Sequence, residues 1–154
     1  MSAREIAAAV LDPEVPVLTI DDLGILRDVE ETDDGVTVTI TPTYSGCPAM
    51  DAIRDDILAA FHDAGRDDVR VEFTLSPAWT TDWMSDAGKQ KLLDYGIVPP
   101  APRGDRPVPL TLSVRCPQCG SPDTRELSRF GSTACKSLWV CRSCSEPFDH
   151  FKAL

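Results

Sequence analysis

Long apolar runs are missing from this chain. None approaches the ~20 residues of a membrane-spanning helix, and no membrane partner is expected. The opening Met1-Ser2-Ala3-Arg4-Glu5 has one basic residue and no long apolar region behind it, so no secretory signal is expected either. Histidine is scarce, with two in 154 residues. No Glu-x-x-His pair occurs, which removes the usual self-contained di-iron carboxylate site. Ser/His/Asp patterning and a phosphate-cradling glycine loop are also absent. Basic residues are outnumbered, 15 Lys+Arg against 25 Asp+Glu, for a net charge of −10. The deficit is local: residues 1–104 hold 20 acidic and 8 basic side chains, residues 105–154 hold 5 and 7. An acidic body repels nucleic acid and a weakly basic tail offers little to phosphate, so no nucleic-acid partner is expected.

What the chain does have is cysteine in pairs. Cys116-Pro117-Gln118-Cys119 and Cys141-Arg142-Ser143-Cys144 each place two residues between two thiols. One turn of backbone can aim both sulfurs of a pair at a single point, and the intervening residues suffice for a hairpin that joins the pairs. Four converging thiolates make the structural zinc site of ribbon domains. An iron–sulfur centre also uses four thiolates, but the two knuckles match a zinc ribbon. Paired cysteines without a secretory signal point to a reducing cytoplasm and to metal rather than disulfides.

Periodicity fills in the remainder. Ser2 and Glu5 read as a capping box opening a helix to about Val10. Asp12-Pro13-Glu14-Val15-Pro16 then forces an extended or turning path. Strands are expected from about Leu23 to Glu31 and from Val36 to Ile40, joined at Asp33-Asp34-Gly35. Met50, Ile53, Ile57 and Phe61 fall on one face of a helix from Ala49 to about Ala64, with Gly65 as a left-handed cap. Val69 to Leu75 alternates as a third strand, and a further helix runs near Ser85–Tyr95. The order predicts an α+β fold, a small three-stranded sheet packed by helices on one face, followed by a C-terminal zinc ribbon. Five of the 13 prolines lie between Val98 and Pro109, a stiff linker. The expected domains are 1–100, a linker at 101–112, and the ribbon at 113–154.

Two thiols are not needed by the ribbon site. Pro48 suits the first position of a helix, which would put Cys47 at its N-cap. Unpaired backbone N–H groups and the helix dipole there favour thiolate, and with it metal binding or nucleophilic reactivity. Asp51 opposes this, and an inert buried cysteine is the plainer alternative. Cys135 is either a spare thiol packed on the ribbon or a second thiol working with Cys47, helped by the neighbouring Lys136. His62 reads as a surface residue, and Trp79, Trp83 and Trp139 as packing groups.

Several motifs carry a resemblance. Leu11-Asp12-Pro13-Glu14-Val15-Pro16, Asp22-Leu23-Gly24-Ile25, Thr41-Pro42-Thr43-Tyr44-Ser45-Gly46-Cys47-Pro48 and Leu75-Ser76-Pro77-Ala78-Trp79 make the first hundred residues resemble iron–sulfur assembly factors of the SufT type. With Thr81-Asp82-Trp83, Tyr95-Gly96-Ile97-Val98-Pro99-Pro100, the segment Phe130 to Lys136 and the segment Glu146 to Lys152, the whole chain resembles the PaaD (PaaJ) family. These are accessory proteins of the bacterial phenylacetyl-CoA epoxidase system. The resemblance implies a cytoplasmic, non-catalytic maturation factor that acts on the epoxidase components, including the iron–sulfur reductase. It implies structural zinc on Cys116, Cys119, Cys141 and Cys144, with transient iron or an iron–sulfur cluster handled by Cys47. Cys135 is a second candidate, and a homodimer is one way to set two Cys47 thiols on one iron. The alternatives are a structural or regulatory subunit of the oxygenase complex, a nucleic-acid-binding ribbon, and an independent thiol enzyme. The thiol enzyme would lack a base or resolving cysteine close to Cys47 in sequence.

Overall fold

The computed structural model describes residues 1–43, 48–102 and 113–153. The chain divides into two compact units, Met1–Gly88 and Lys89–Leu154.

The first unit opens with α1 (Ala3–Ala8), fixed by the expected capping box. The Glu5 amide donates to Ser2 Oγ at 3.2 Å and the Ser2 amide donates to Glu5 Oε2 at 2.7 Å. Asp12 then shapes the turn that the prolines demand, its Oδ1 accepting from the amides of Glu14 and Val15 at 2.9 and 2.8 Å. Two antiparallel strands follow, β1 (Leu26–Thr32) and β2 (Gly35–Ile40), paired from Leu26↔Ile40 to Thr32↔Gly35. Gly35 closes the hairpin at φ +130°, a conformation that a side chain rarely tolerates. The first strand starts three residues later than its sequence pattern suggests, because Leu23 and Gly24 sit in a turn whose amides bond back to Thr19 and Asp21.

Helix α2 (Ala49–Asp63) buries the expected stripe of Met50, Ile53, Ile57 and Phe61. It ends at Gly65 with φ +77°, where the amides of Gly65 and Arg66 return to the carbonyls of His62 and Phe61. That double bond is the helix-ending arrangement a left-handed residue permits. Strand β3 (Val69–Phe73) pairs with β2 in parallel, giving the order β1-β2-β3. The direction follows from connectivity, since α2 carries the chain back to the start of β2 before β3 begins. Val36, Val38 and Ile40 are wholly buried at the centre of the sheet. On it α1 contacts β1, α2 contacts β3, and the two helices contact each other.

Beyond β3, the Trp79 indole is buried and donates to the Leu23 carbonyl at 2.8 Å. The chain then makes a 3-10 turn, Thr81–Trp83, between the two tryptophans and at the second of them. Gly24, at φ +75°, lies so close to it that an added Cβ would meet the Trp83 Cβ and carbonyl oxygen at 2.6 Å. Arg27 stacks its guanidinium 3.7 Å from the Trp83 ring centre. Helix α3 (Asp86–Asp94) runs across the division between the units.

The second unit holds a four-stranded sheet ordered β4-β7-β6-β5. Its strands are β4 (Ile97–Val98), β5 (Thr124–Ser128), β6 (Lys136–Cys141) and β7 (Pro147–Phe151). Strand β4 precedes the proline-rich stretch yet pairs with Asp149 and His150 of β7. Residues 89–98 therefore group with the ribbon, although their sequence reads as a tail of the first domain. Trp139 and Phe148 pack with Cys116 and Cys141 in a small core, flanked by Val98 and Val114.

Candidate metal centre

Both knuckles are the same turn built twice. The amide of the fourth residue after the first cysteine returns to that cysteine's carbonyl: Gly120 to Cys116 at 2.8 Å, Ser145 to Cys141 at 3.0 Å. One residue further on, the carbonyls of Ser121 and Glu146 accept from the amides of Cys116 and Cys141 at 3.0 and 2.9 Å. The turn needs a left-handed residue in its fourth place. Gly120 supplies it at φ +74°, while Ser145 holds φ +65° against the penalty carried by a Cβ. The two turns are clamped together by Ser121 Oγ and Ser143 Oγ, 2.8 Å apart.

This construction brings four sulfurs together. Cys116 Sγ lies 3.7 Å from Cys144 Sγ, Cys119 Sγ lies 3.6 Å from Cys141 Sγ, and all four lie within 4.8 Å of one another. A tetrahedral ion with zinc–sulfur bonds near 2.3 Å would set its ligands about 3.8 Å apart. The donor set therefore fits one tetrahedral ion. It is too tight for a multi-iron cluster, whose thiolates sit on different irons and stand further apart. Backbone N–H groups of Cys144 and Ser143 point at Cys141 Sγ, at 3.5 and 3.3 Å, and hold its thiol down to about 7. The amide of Glu146 favours thiolate at Cys144, but burial and the adjoining thiols together push that group up to about 12. Four thiols at these distances cannot all ionise without a cation between them.

The remaining candidates are dispersed. Cys135 is buried just before β6, its Sγ 2.9 Å from Thr133 Oγ1, and it is not one of the four convergent thiols. None of the five described cysteines is in a disulfide. Cys47 lies outside the described residues. The N-cap of α2 falls on Pro48, one residue beyond the position expected for Cys47, and makes no side-chain capping bond. Pro48 already has helical dihedrals (φ −69°, ψ −18°), as a proline at the head of a helix should. His62 is exposed against Asp67, and His150 is buried edge-on to Trp139.

Two buried polar residues of the first unit were not singled out by the sequence reading. Asp12 is 5% exposed and Thr41 is 1% exposed. Thr41 directly follows β2, and its hydroxyl has no hydrogen-bond partner among the described residues. The signal for Asp12 was its place before Pro13, where a carboxylate can bond the next free amides. No pattern marks Thr41, which reads as the start of a loop.

Comparison with known proteins places both units. The description "PaaD zinc beta ribbon domain" matches residues 102–152, and "Iron-sulfur cluster assembly protein" matches residues 5–73. A protein of Escherichia coli (strain K12), named as one of the subunits of a "Putative 1,2-phenylacetyl-CoA epoxidase", is 49% identical over 143 residues, 93% of this chain and 86% of that protein. The chain belongs to the PaaD family. The chain is also similar to a "Fe-S protein maturation auxiliary factor" of Porphyromonas gingivalis (strain ATCC BAA-308 / W83). That protein is 39% identical over 91 residues, covering 58% of this chain and 83% of its own. The crystal structure of a domain of unknown function, DUF59, from Bacillus anthracis superposes with a TM-score of 0.53 at 27% identity. The match covers 58% of this chain and 87% of that one. This chain thus joins an assembly-type domain to a ribbon. In this member, no described helix is long and apolar enough to cross a membrane.

Proposed function

We propose that this chain is a non-catalytic maturation factor for an iron or iron–sulfur centre of the multicomponent phenylacetyl-CoA epoxidase. The observation that carries the reading is the union, in one chain, of an iron–sulfur assembly domain at residues 5–73 and a PaaD ribbon at residues 102–152. In this reading zinc is held by Cys116, Cys119, Cys141 and Cys144 and staples a ribbon whose own core is small. Cys47 holds or passes on the iron cargo, with Cys135 as a second thiol. The buried, unpartnered hydroxyl of Thr41 supports a polar function at the end of β2 where the Cys47 segment begins. The acidic first unit docks the recipient component, the iron–sulfur reductase among the candidates.

Co-expression of Cys47→Ala with the epoxidase components tests the reading. The expected result is normal zinc in the variant, iron-poor epoxidase components and lost epoxidation. Full metallation of the components with this variant refutes the role of Cys47. The name of the Escherichia coli relative, which makes it a part of the epoxidase, favours a second reading: a structural or regulatory component that stays bound. A stoichiometric complex surviving gel filtration, with cysteine loss acting only through folding, would establish that reading instead.

A further inference from the structure

We propose that the free edge of β3 is a self-pairing surface. Two copies of the chain would join there antiparallel about Val71 into one six-stranded sheet. Strand β3 is bonded to β2 on one side, and among the described residues nothing pairs with its other side. The side that faces outward is set by two bonds. The Val36 amide donates to the Asp68 carbonyl at 2.7 Å, and the Thr74 amide donates to the Ile40 carbonyl at 2.9 Å. Even-numbered residues of this stretch thus direct their backbone groups to β2. By alternation, Val69, Val71 and Phe73 present N–H and C=O at the open edge.

The sequence of that edge complements itself. Pairing centred on Val71 sets Val69 opposite the second copy's Phe73, with each residue of the pair exchanging N–H and C=O. Arg70 then falls opposite the second copy's Glu72, at both ends of the two-fold. Because the odd residues make the inter-copy bonds, Arg70 and Glu72 occupy the non-bonded positions, where facing side chains come closest. Neither has an ion-pair partner among the described residues, and both are exposed. On the other face of the strand, Phe73 is 45% exposed and Leu75 just beyond it 65%. Pairing would cover apolar surface that is bare in the single chain. The edge is locally neutral in a chain of net charge −10, so joining two copies here meets little of the repulsion that the rest of the acidic body imposes.

A dimer that shares one iron between two Cys47 thiols would be held by metal. The proposed pairing needs no metal.

Sedimentation in reductant, on full-length zinc-loaded protein freed of iron, tests this from about 1 μM to about 1 mM, the range in which small interfaces dissociate. The native chain should move from monomer toward dimer. Arg70→Glu and Glu72→Arg each set like charges opposite one another at both ends and should weaken self-association at least about tenfold. An equimolar mixture of the two variants should recover association as a heterodimer. A native chain that stays monomeric throughout overturns the proposal. So do single variants that associate like the native chain, or a mixture that fails to recover association.

Discussion

Replacing Thr41 by valine isolates what an unsatisfied hydroxyl does to this fold. The side chain is 1% exposed, and its oxygen bonds to nothing among the described residues. The backbone is held independently, the Thr41 amide donating to the Ile25 carbonyl at 3.0 Å. Valine keeps the β-branched shape and its stiff rotamer, so the change is a methyl for a hydroxyl. A buried polar group without a partner costs about 1–3 kcal/mol. Taking the lower end, Thr41→Val should stabilise the first unit by about 1 kcal/mol. For a unit of this size that raises the thermal midpoint by roughly 4–8 °C. Thr41→Ser, which keeps the hydroxyl and removes a buried methyl, should lower the midpoint. Scanning calorimetry of the full chain reads both. A midpoint for Thr41→Val at or below the native value would refute the reasoning, since it would mean that the hydroxyl makes a favourable bond in solution. Under the proposed function, the more stable variant should also be a poorer maturation factor, because the hydroxyl is then retained for the cargo rather than for the fold.

Removing the ribbon metal should unfold the ribbon. Cys141→Ser, or a strong chelator, is expected to take one zinc per chain in elemental analysis and abolish the second unit's transition while leaving the first unit's transition in place. Metal contributes ~10–16 kcal/mol to small zinc domains, so a ribbon transition that persists without metal would contradict the stapled-ribbon account. The two histidines should titrate on opposite sides of the ordinary imidazole value, read by histidine NMR. The Asp67 carboxylate raises His62, and burial lowers His150, helped by the Lys152 charge. For His62 the folded form holds the proton more tightly, so its small, solvent-screened contribution is present below about 6.5 and lost as pH rises through the folded value. For His150 the unfolded chain binds the proton more readily. Its contribution is complete above about 6.5 and lost as pH falls toward the folded value. Reversal of the two positions would refute the burial assigned to His150.

Where local chemistry decides the backbone, the sequence was readable. Ser2 with Glu5, Asp33-Asp34-Gly35 and Gly65 each act within a few residues, and each appears in the structure where the pattern puts it. The Met50, Ile53, Ile57 and Phe61 stripe was equally plain, because a period of 3.6 is a property of one segment. What was not readable depends on distant partners. Strand β4 is two residues long and exists only because β7 lies beside it. The close approach of Gly24 to Trp83 and the bond from Trp79 to Leu23 join residues more than fifty positions apart. At the site, spacing marked the four knuckle cysteines, and the turns bring their sulfurs together. The left-handed Ser145 was hidden, since serine is not the residue that such a position usually recruits.

The ribbon's charge acquires a sharper meaning once its cations are placed. Residues 105–154 contain seven lysines and arginines, enough on paper for a weak phosphate track. Most of the described ones are already engaged. Arg115 donates to the Gly120 carbonyl at 3.1 Å, bracing the first knuckle. Arg142 faces Asp123 at 3.9 Å beside the second. Lys152 donates to the Arg129 carbonyl at 2.9 Å with its ammonium over the Phe130 ring, and Lys136 is buried. Among the described residues, Arg125 and Arg129 are left with uncommitted guanidiniums. Two such groups would displace about two counterions from a duplex, against roughly six to ten in strongly salt-dependent binding. Arg115 and Arg142 are therefore spent on the knuckles, and Lys152 on tying the end of the last strand to the Arg129–Phe130 turn.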